Sequence, residues 1–181
     1  MPDSPAARQA SARLQPAIRF DGVTVEFAVA EGERYAAVAP TNLAIAAHEF
    51  VAIVGPTGCG KSTLLNVAAG LLAPSAGEVH TFGTRLAGLN GAAGYLFQQD
   101  AVMPWKTAAD NVAIGLEIAG TQRPEALERA RAWLKRVGLA PFADRYPHQL
   151  SGGQRKRVGL AQVLIRDPKI LLMDEPFGPL D

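Results

Sequence analysis

Apolar and polar residues alternate from Ile18 to Phe27, with Val23, Val25 and Phe27 on one face, which predicts a β-strand. Glu31-Gly32-Glu33 predicts a turn, and Tyr35–Ala46 a second extended segment. Phe50–Val54 is apolar throughout, the pattern of a strand buried on both faces of a parallel sheet. Lys61–Leu72 places Leu64, Leu65, Val67, Ala68 and Leu71 at helical spacing, and Gly70 and Pro74 mark its end. Two short strands are predicted over Glu78–Phe82 and Ala93–Phe97. Thr107 is placed to cap a helix running through Ile118, with Gly120 as its stop. Pro124 opens another, with Leu127, Ala130, Leu134 and Val137 on one face and Gly138 behind it. A third helix follows over Gly152–Arg166, then a core strand over Lys169–Asp174. The order is a β-rich start, a strand and helix around a glycine loop, a helical insert, then another core strand. That predicts an α/β domain over residues 18–181, with an antiparallel β region first and a helical subdomain at about 100–166. Residues 1–17, rich in Ala, Pro and Ser, are predicted to form a disordered tail.

Composition narrows the function classes. With 181 residues, nearly half of them apolar, the chain is long enough to bury a core. Lys and Arg number 18 against 17 Asp and Glu, so no charge excess points to a nucleic-acid partner. The single cysteine, Cys59, excludes a disulfide framework and fits a reducing compartment. No apolar run approaches the roughly 20 residues of a membrane span, and the N-terminus lacks the apolar block of a secretory signal. Work at a membrane would need another chain.

Gly55-Pro56-Thr57-Gly58-Cys59-Gly60-Lys61-Ser62-Thr63 meets the spacing of a phosphate-binding loop, between a predicted buried strand and a predicted helix. Glycines let the backbone curl until several N–H groups face one cavity, and the helix aims its positive end there. Lys61 would add a full charge against the β- and γ-phosphates of a nucleotide, and Ser62 a hydroxyl to Mg²⁺. Cys59 reads as a small side chain in a tight space rather than a redox group.

Ile170–Met173 ends in Asp174 and Glu175, at the carboxyl end of a core strand, where ligands bind in open parallel sheets. Asp174 would hold Mg²⁺ through water, and Glu175 would orient or deprotonate an attacking water. Leu150-Ser151-Gly152-Gly153-Gln154 precedes a helix, so Ser151 and the glycine amides offer a second anion site. One phosphate loop and a second phosphate site suggest two half-sites.

Together these three motifs resemble ABC-transporter nucleotide-binding subunits, across essentially all of the chain after Ile18. The resemblance implies a P-loop ATPase with a RecA-like core that binds and hydrolyses ATP with Mg²⁺. It implies head-to-tail pairing with a second ATP-binding subunit, so that Ser151, Gly152, Gly153 and Gln154 meet the neighbour's nucleotide. Gln98, in Leu96-Phe97-Gln98, takes the place of the glutamine that senses Mg²⁺ and contacts the membrane partner. Phe27 resembles the aromatic that stacks on adenine, with Tyr35 as a rival and a core role for Phe27 as the alternative. Asp181 matches the D-loop aspartate.

A finer likeness lies in Gln98-Gln-Asp-Ala-Val-Met-Pro104-Trp105 and Thr107-Ala-Ala-Asp-Asn111-Val, which look like importers of the nitrate/sulfonate/taurine/bicarbonate group. It implies an ATPase subunit at the cytoplasmic face of the inner membrane, partnered by permease subunits and indirectly by a periplasmic solute-binding protein. In that family the Trp105 region forms a groove for a cytoplasmic permease helix; packing between insert and core is the other reading of Trp105.

Three departures from the family pattern stand out. Gln162 replaces an arginine, Pro179 replaces a small D-loop residue, and a switch histidine on a later strand is missing, since the histidines are His48, His80 and His148. In the family a strand after the D-loop inserts between the P-loop strand and the acidic strand. The expectation is therefore a domain incomplete at its C-terminus, a fragment or a decayed copy, poorly stable alone and slow in hydrolysis. Two alternatives accompany the importer reading: an ATP-binding remnant or regulator with little hydrolysis, and a non-transport ABC ATPase acting on DNA or ribosomes.

Overall fold

The computed structural model describes residues 15–29, 33–98 and 101–176. The turn at Glu31-Gly32, the tail up to residue 14, Pro179 and Asp181 lie outside the described residues. The chain divides into two compact units, one ending at Ala92 and the other beginning at Ala93.

The first unit is built on an antiparallel sheet. Strands β1 (Ile18–Ala28) and β2 (Arg34–Ile45) form at the alternating segment and at the second extended one, and β3 (Ala76–Thr81) and β4 (Thr84–Arg85) complete the order β2-β1-β3-β4. The register pairs Ile18 with Ile45, Phe20 with Leu43 and Val25 with Val38 across β1 and β2. Phe20 also lies opposite Val79 on β3. Ile18, Phe20, Val23, Val25 and Val79 are buried, but a register irregularity between Phe20 and Val23 interrupts the alternation, and Phe27, predicted on the face of Val23 and Val25, is exposed. Helix α1 (Lys61–Ala68) adds Leu64, Val67 and Ala68 to this core. It stops four residues before the predicted Leu72, because Gly70 N–H bonds Val67 O at 3.0 Å and Leu71 N–H bonds Asn66 O at 2.9 Å, closing the last turn. Buried Asn90 joins the helix to the sheet, its Nδ2 donating to Ala68 O at 2.9 Å and to Thr81 Oγ1 at 3.3 Å.

One prediction fails in this unit. Phe50–Val54 is not a buried strand: residues 50–56 join neither sheet, and Phe50 and Val54 are 83% and 87% exposed. Apolar composition prepares a segment for burial on both faces, but strand structure also needs neighbours to complete its ladder. Among the described residues no strand pairs with it.

The second unit pairs β5 (Ala93–Leu96) in parallel with β6 (Ile170–Met173), from Ala93 opposite Ile170 to Leu96 opposite Met173. Between them run α2 (Ala108–Ile118), α3 (Arg123–Arg136) and α4 (Gly152–Leu164). The core joins Ala108, Ala109, Val112, Ala113 and Leu116 of α2 to Ala126, Ala130 and Leu134 of α3 and Val158 and Ala161 of α4. Alanines predominate, so the three helices approach closely. Thr107 caps α2 by accepting from Asp110 N–H at 3.2 Å, as its sequence position predicts. Arg123 then clasps α2 to α3 through Asp110 at 2.6 Å and Glu117 at 2.9 Å.

Candidate functional site

In the first unit, the segment from Gly55 to Gly60 passes directly into α1. Gly60 occupies the cap position at φ 93°, and a Cβ there would sit 2.2 Å from Ala37 O on β2. Only glycine fits both the backbone angle and the approach. Because Gly60 brings no side-chain cap, the first-turn amides of Lys61, Ser62 and Thr63 are left to a ligand or solvent. Lys61 Nζ donates to Gly55 O and Pro56 O, both at 2.9 Å, and lies 3.8 Å from Cys59 Sγ. The ammonium is thus drawn into the concave side of its own loop, next to the helix's positive end. Gly55, Pro56, Thr57, Gly58, Cys59 and Ser62 are exposed. A Cβ on Gly55 would lie 2.7 Å from Cys59 Sγ, so Gly55 has no room for a side chain, while Cys59 itself is exposed. The loop has the chemistry of an anion cradle with one fixed positive charge.

In the second unit, Asp174 leaves the end of β6 buried, its N–H bonding Leu96 O at 3.0 Å and extending the parallel ladder by one step. Glu175 follows at φ 45°, in the left-handed region that non-glycine residues avoid. That bend turns Glu175 to the surface, where Gln98 Nε2 donates to its Oε2 at 2.6 Å. Gln98 stands just past the end of β5, so the parallel pairing brings together two residues predicted separately. The donor set suits a hard cation: a buried carboxylate beside an exposed one and an amide oxygen. Among the described residues no group of three or more His, Cys, Asp or Glu side chains forms a cage, so further ligands would be water and phosphate oxygens.

Tyr95 is a neighbour the sequence reading missed. It pairs with Leu172 and so shares the face of β6 that Asp174 continues. Burial, the Asp174 charge and a hydrogen bond to Asp174 push its hydroxyl up to about 12. Tyr95 therefore stays protonated and donates to Asp174, fixing that carboxylate's orientation. An inward tyrosine three residues before Gln98 was the available signal, but only the register shows which carboxylate it meets.

Ser151 caps α4 with a reciprocal box: Gln154 N–H bonds Ser151 Oγ at 3.3 Å, and Gln154 Oε1 accepts from Ser151 N–H at 2.8 Å. Ser151, Gly152 and Gly153 are exposed. Arg155 Nη1 holds Leu150 O at 2.7 Å, fixing the entry to the helix. The motif thus presents a rigid helix N-terminus to solvent.

Phe27 and Tyr35 are direct register partners on β1 and β2, and both are exposed. The core reading of Phe27 is therefore excluded, and the two rivals stand side by side on one face. Trp105 is 73% exposed, so it is not packed between insert and core.

Comparison with known proteins agrees with these features. The family model described as "ABC transporter" matches residues 38–178. A taurine import ATP-binding protein of Pseudomonas aeruginosa is 49% identical over 150 residues, covering 83% of this chain and 57% of the relative. The taurine import ATP-binding protein of Escherichia coli K12 is 46% identical over 140 residues, covering 77% of this chain and 55% of the relative. Among solved structures, a dimeric ATP-binding cassette in a post-hydrolysis state with ADP and phosphate superposes with a TM-score of 0.82. It is 36% identical, and the match covers 91% of this chain and 76% of that one. The chain spans little more than half the length of the taurine import relatives. With a phosphate loop, a signature helix and an acidic strand end along its sequence, and the family model matched over residues 38–178, the chain belongs to the ABC transporter family.

Proposed function

We propose that this chain is the ATP-binding and hydrolysing portion of a cassette subunit that drives an importer for small oxyanions or sulfonates, of the nitrate/sulfonate/taurine/bicarbonate type. The observation that carries the catalytic half of this reading is the 2.6 Å bond between Gln98 and Glu175 at the carboxyl end of β6. The taurine import function that names these relatives supports the importer half.

In this reading Phe27 stacks on the adenine. The amides from Gly55 to Thr63 and the Lys61 ammonium take the β- and γ-phosphates. Ser62 in the first unit, and Asp174 and Gln98 in the second, are the residues whose oxygens would hold Mg²⁺, which would offset the phosphate charge. Glu175 accepts a proton from a water as its oxygen attacks the γ-phosphorus, and the bond to the β-bridging oxygen breaks to leave ADP and phosphate. Gln98 holds the Glu175 carboxylate for that step, and Tyr95 holds Asp174. Ser151, Gly152, Gly153 and Gln154 close on the nucleotide of a second cassette subunit. Exposed Trp105 belongs to the surface that meets the permease, and the protein works at the cytoplasmic face of the inner membrane in this reading.

The test is complementation. The full-length protein carrying this sequence is expressed in a bacterium lacking its own taurine import ATP-binding subunit, together with its cognate permease and binding protein, and growth on sulfonate sulfur is scored. Growth lost on Lys61→Ala supports the reading. ATP turnover without uptake of sulfonate, nitrate or bicarbonate overturns the importer class, and ATP binding without turnover favours a regulatory remnant.

A further inference from the structure

We propose that Asn111 is a positioning residue for the docking surface: it fixes the turn at Met103–Thr107 so that Trp105 is held out, preorganised, for a helix of the membrane subunit. The inference rests on the reading of Trp105 given above.

Asn111 is wholly buried in the second turn of α2. Its Oδ1 accepts from Met103 N–H at 2.6 Å. Its Nδ2 donates to Met103 O at 3.1 Å, Lys106 O at 3.0 Å and Thr107 O at 2.9 Å. One side chain thus ties both ends of a five-residue turn to the helix that follows, with donors and acceptor all engaged. The turn closes on itself through Lys106 N–H to Met103 O at 3.1 Å. Pro104 restricts the backbone beside Trp105 further.

The bonds of Asn111 are all to nearby backbone groups, and Trp105 stands in the same turn as a large exposed ring. A tryptophan on a loose loop would lose conformational freedom on binding, whereas one on a pinned turn has lost it already. Tryptophan is also the side chain most often found as an interface anchor. The carboxamide is specific for the task. Aspartate has the same shape but no donors, so it would set a buried charge against three carbonyl oxygens.

The experiment uses the full-length cassette subunit and proteoliposomes containing its permease. Binding is compared for wild type, Trp105→Ala, Asn111→Asp and the double variant, with nucleotide affinity of the detached subunit as a control. Each single variant is expected to bind the permease at least 10-fold more weakly, with nucleotide affinity unchanged within twofold. The double variant is expected to lose no more than Trp105→Ala alone, because Asn111 acts through that ring. In the wild type, the Met103 amide should resist hydrogen exchange as strongly as the interior of α2. Binding unchanged in Trp105→Ala overturns the docking reading itself. Loss in Trp105→Ala with none in Asn111→Asp, or multiplicative losses in the double variant, overturns the role of Asn111 alone. Should Asn111→Asp not fold, fast exchange at the wild-type Met103 amide overturns that role.

Discussion

Gln98 Nε2 and Glu175 Oε2 lie 2.6 Å apart although their residues are 77 positions apart in sequence. The contact depends on parallel β5 and β6 ending level, and on the left-handed backbone of Glu175 at φ 45°. Such strain persists where the surroundings hold it in place, and the amide of Gln98 is part of that hold. In the full-length protein, Glu175→Gln should lower kcat for ATP by about 10²–10⁴, the range for loss of a general base. Gln98→Ala should cost about 10-fold in kcat with KM within twofold, as expected when orientation rather than substrate binding is lost. Steady-state kinetics of the two variants and their combination check this. Equal losses in KM would make Gln98 a binding group instead.

Gly60 and Gly58 separate two reasons for glycine in the phosphate loop. Both have positive φ, 93° and 81°, but a Cβ on Gly60 would meet Ala37 O at 2.2 Å whereas one on Gly58 meets nothing within 4 Å. Gly58→Ala should therefore cost about 1 kcal/mol, from backbone strain alone. Gly60→Ala should cost about 3 kcal/mol, since the obstacle is a backbone carbonyl that cannot turn aside. Urea unfolding of the full-length variants measures both. Similar midpoints would mean that the loop relaxes freely away from β2.

Asp110 links α2 to α3. Burial acts to raise its pKa, but hydrogen bonds from Thr107 and Arg123 and the Arg123 charge outweigh it and hold the carboxyl below its ordinary value. A lowered folded value means that its contribution is present above the ordinary carboxylate range, at pH of about 4, and is lost as pH falls through the folded value. Asp110→Asn should lower Tm by roughly 3 °C at pH 7. The difference from wild type should shrink toward zero as the pH falls below the ordinary carboxylate range and through the lowered folded value. Thermal melts of the two proteins across that range decide it, and a difference independent of pH would locate the effect in shape rather than charge.

Much of this fold was legible because it is written in local chemistry. Alternation specified β1, Thr107 and Ser151 specified where α2 and α4 begin, and Gly70, Gly120 and Gly138 stand behind the helices they were expected to end. The loop from Gly55 to Thr63 was legible for the same reason, since its spacing constrains a single stretch of backbone. Phe50–Val54 was misread because an apolar run states a need for neighbours without supplying them. Tyr95 was missed because it looked like an ordinary member of its strand, and Asn111, noted only within a motif, gave no sign of the turn it binds.

The sequence by itself therefore determined the elements, their caps and the residue types able to handle a nucleotide. The tertiary structure decided the rest: Gln98 against Glu175, Tyr95 against Asp174, Phe27 beside Tyr35, and Trp105 left in solvent above Asn111. The physical reason is that caps and periodicities act within a few residues of one chain segment. Strand register and the reach of a buried amide join distant segments or turn on three-dimensional direction, and no spacing along the chain encodes either.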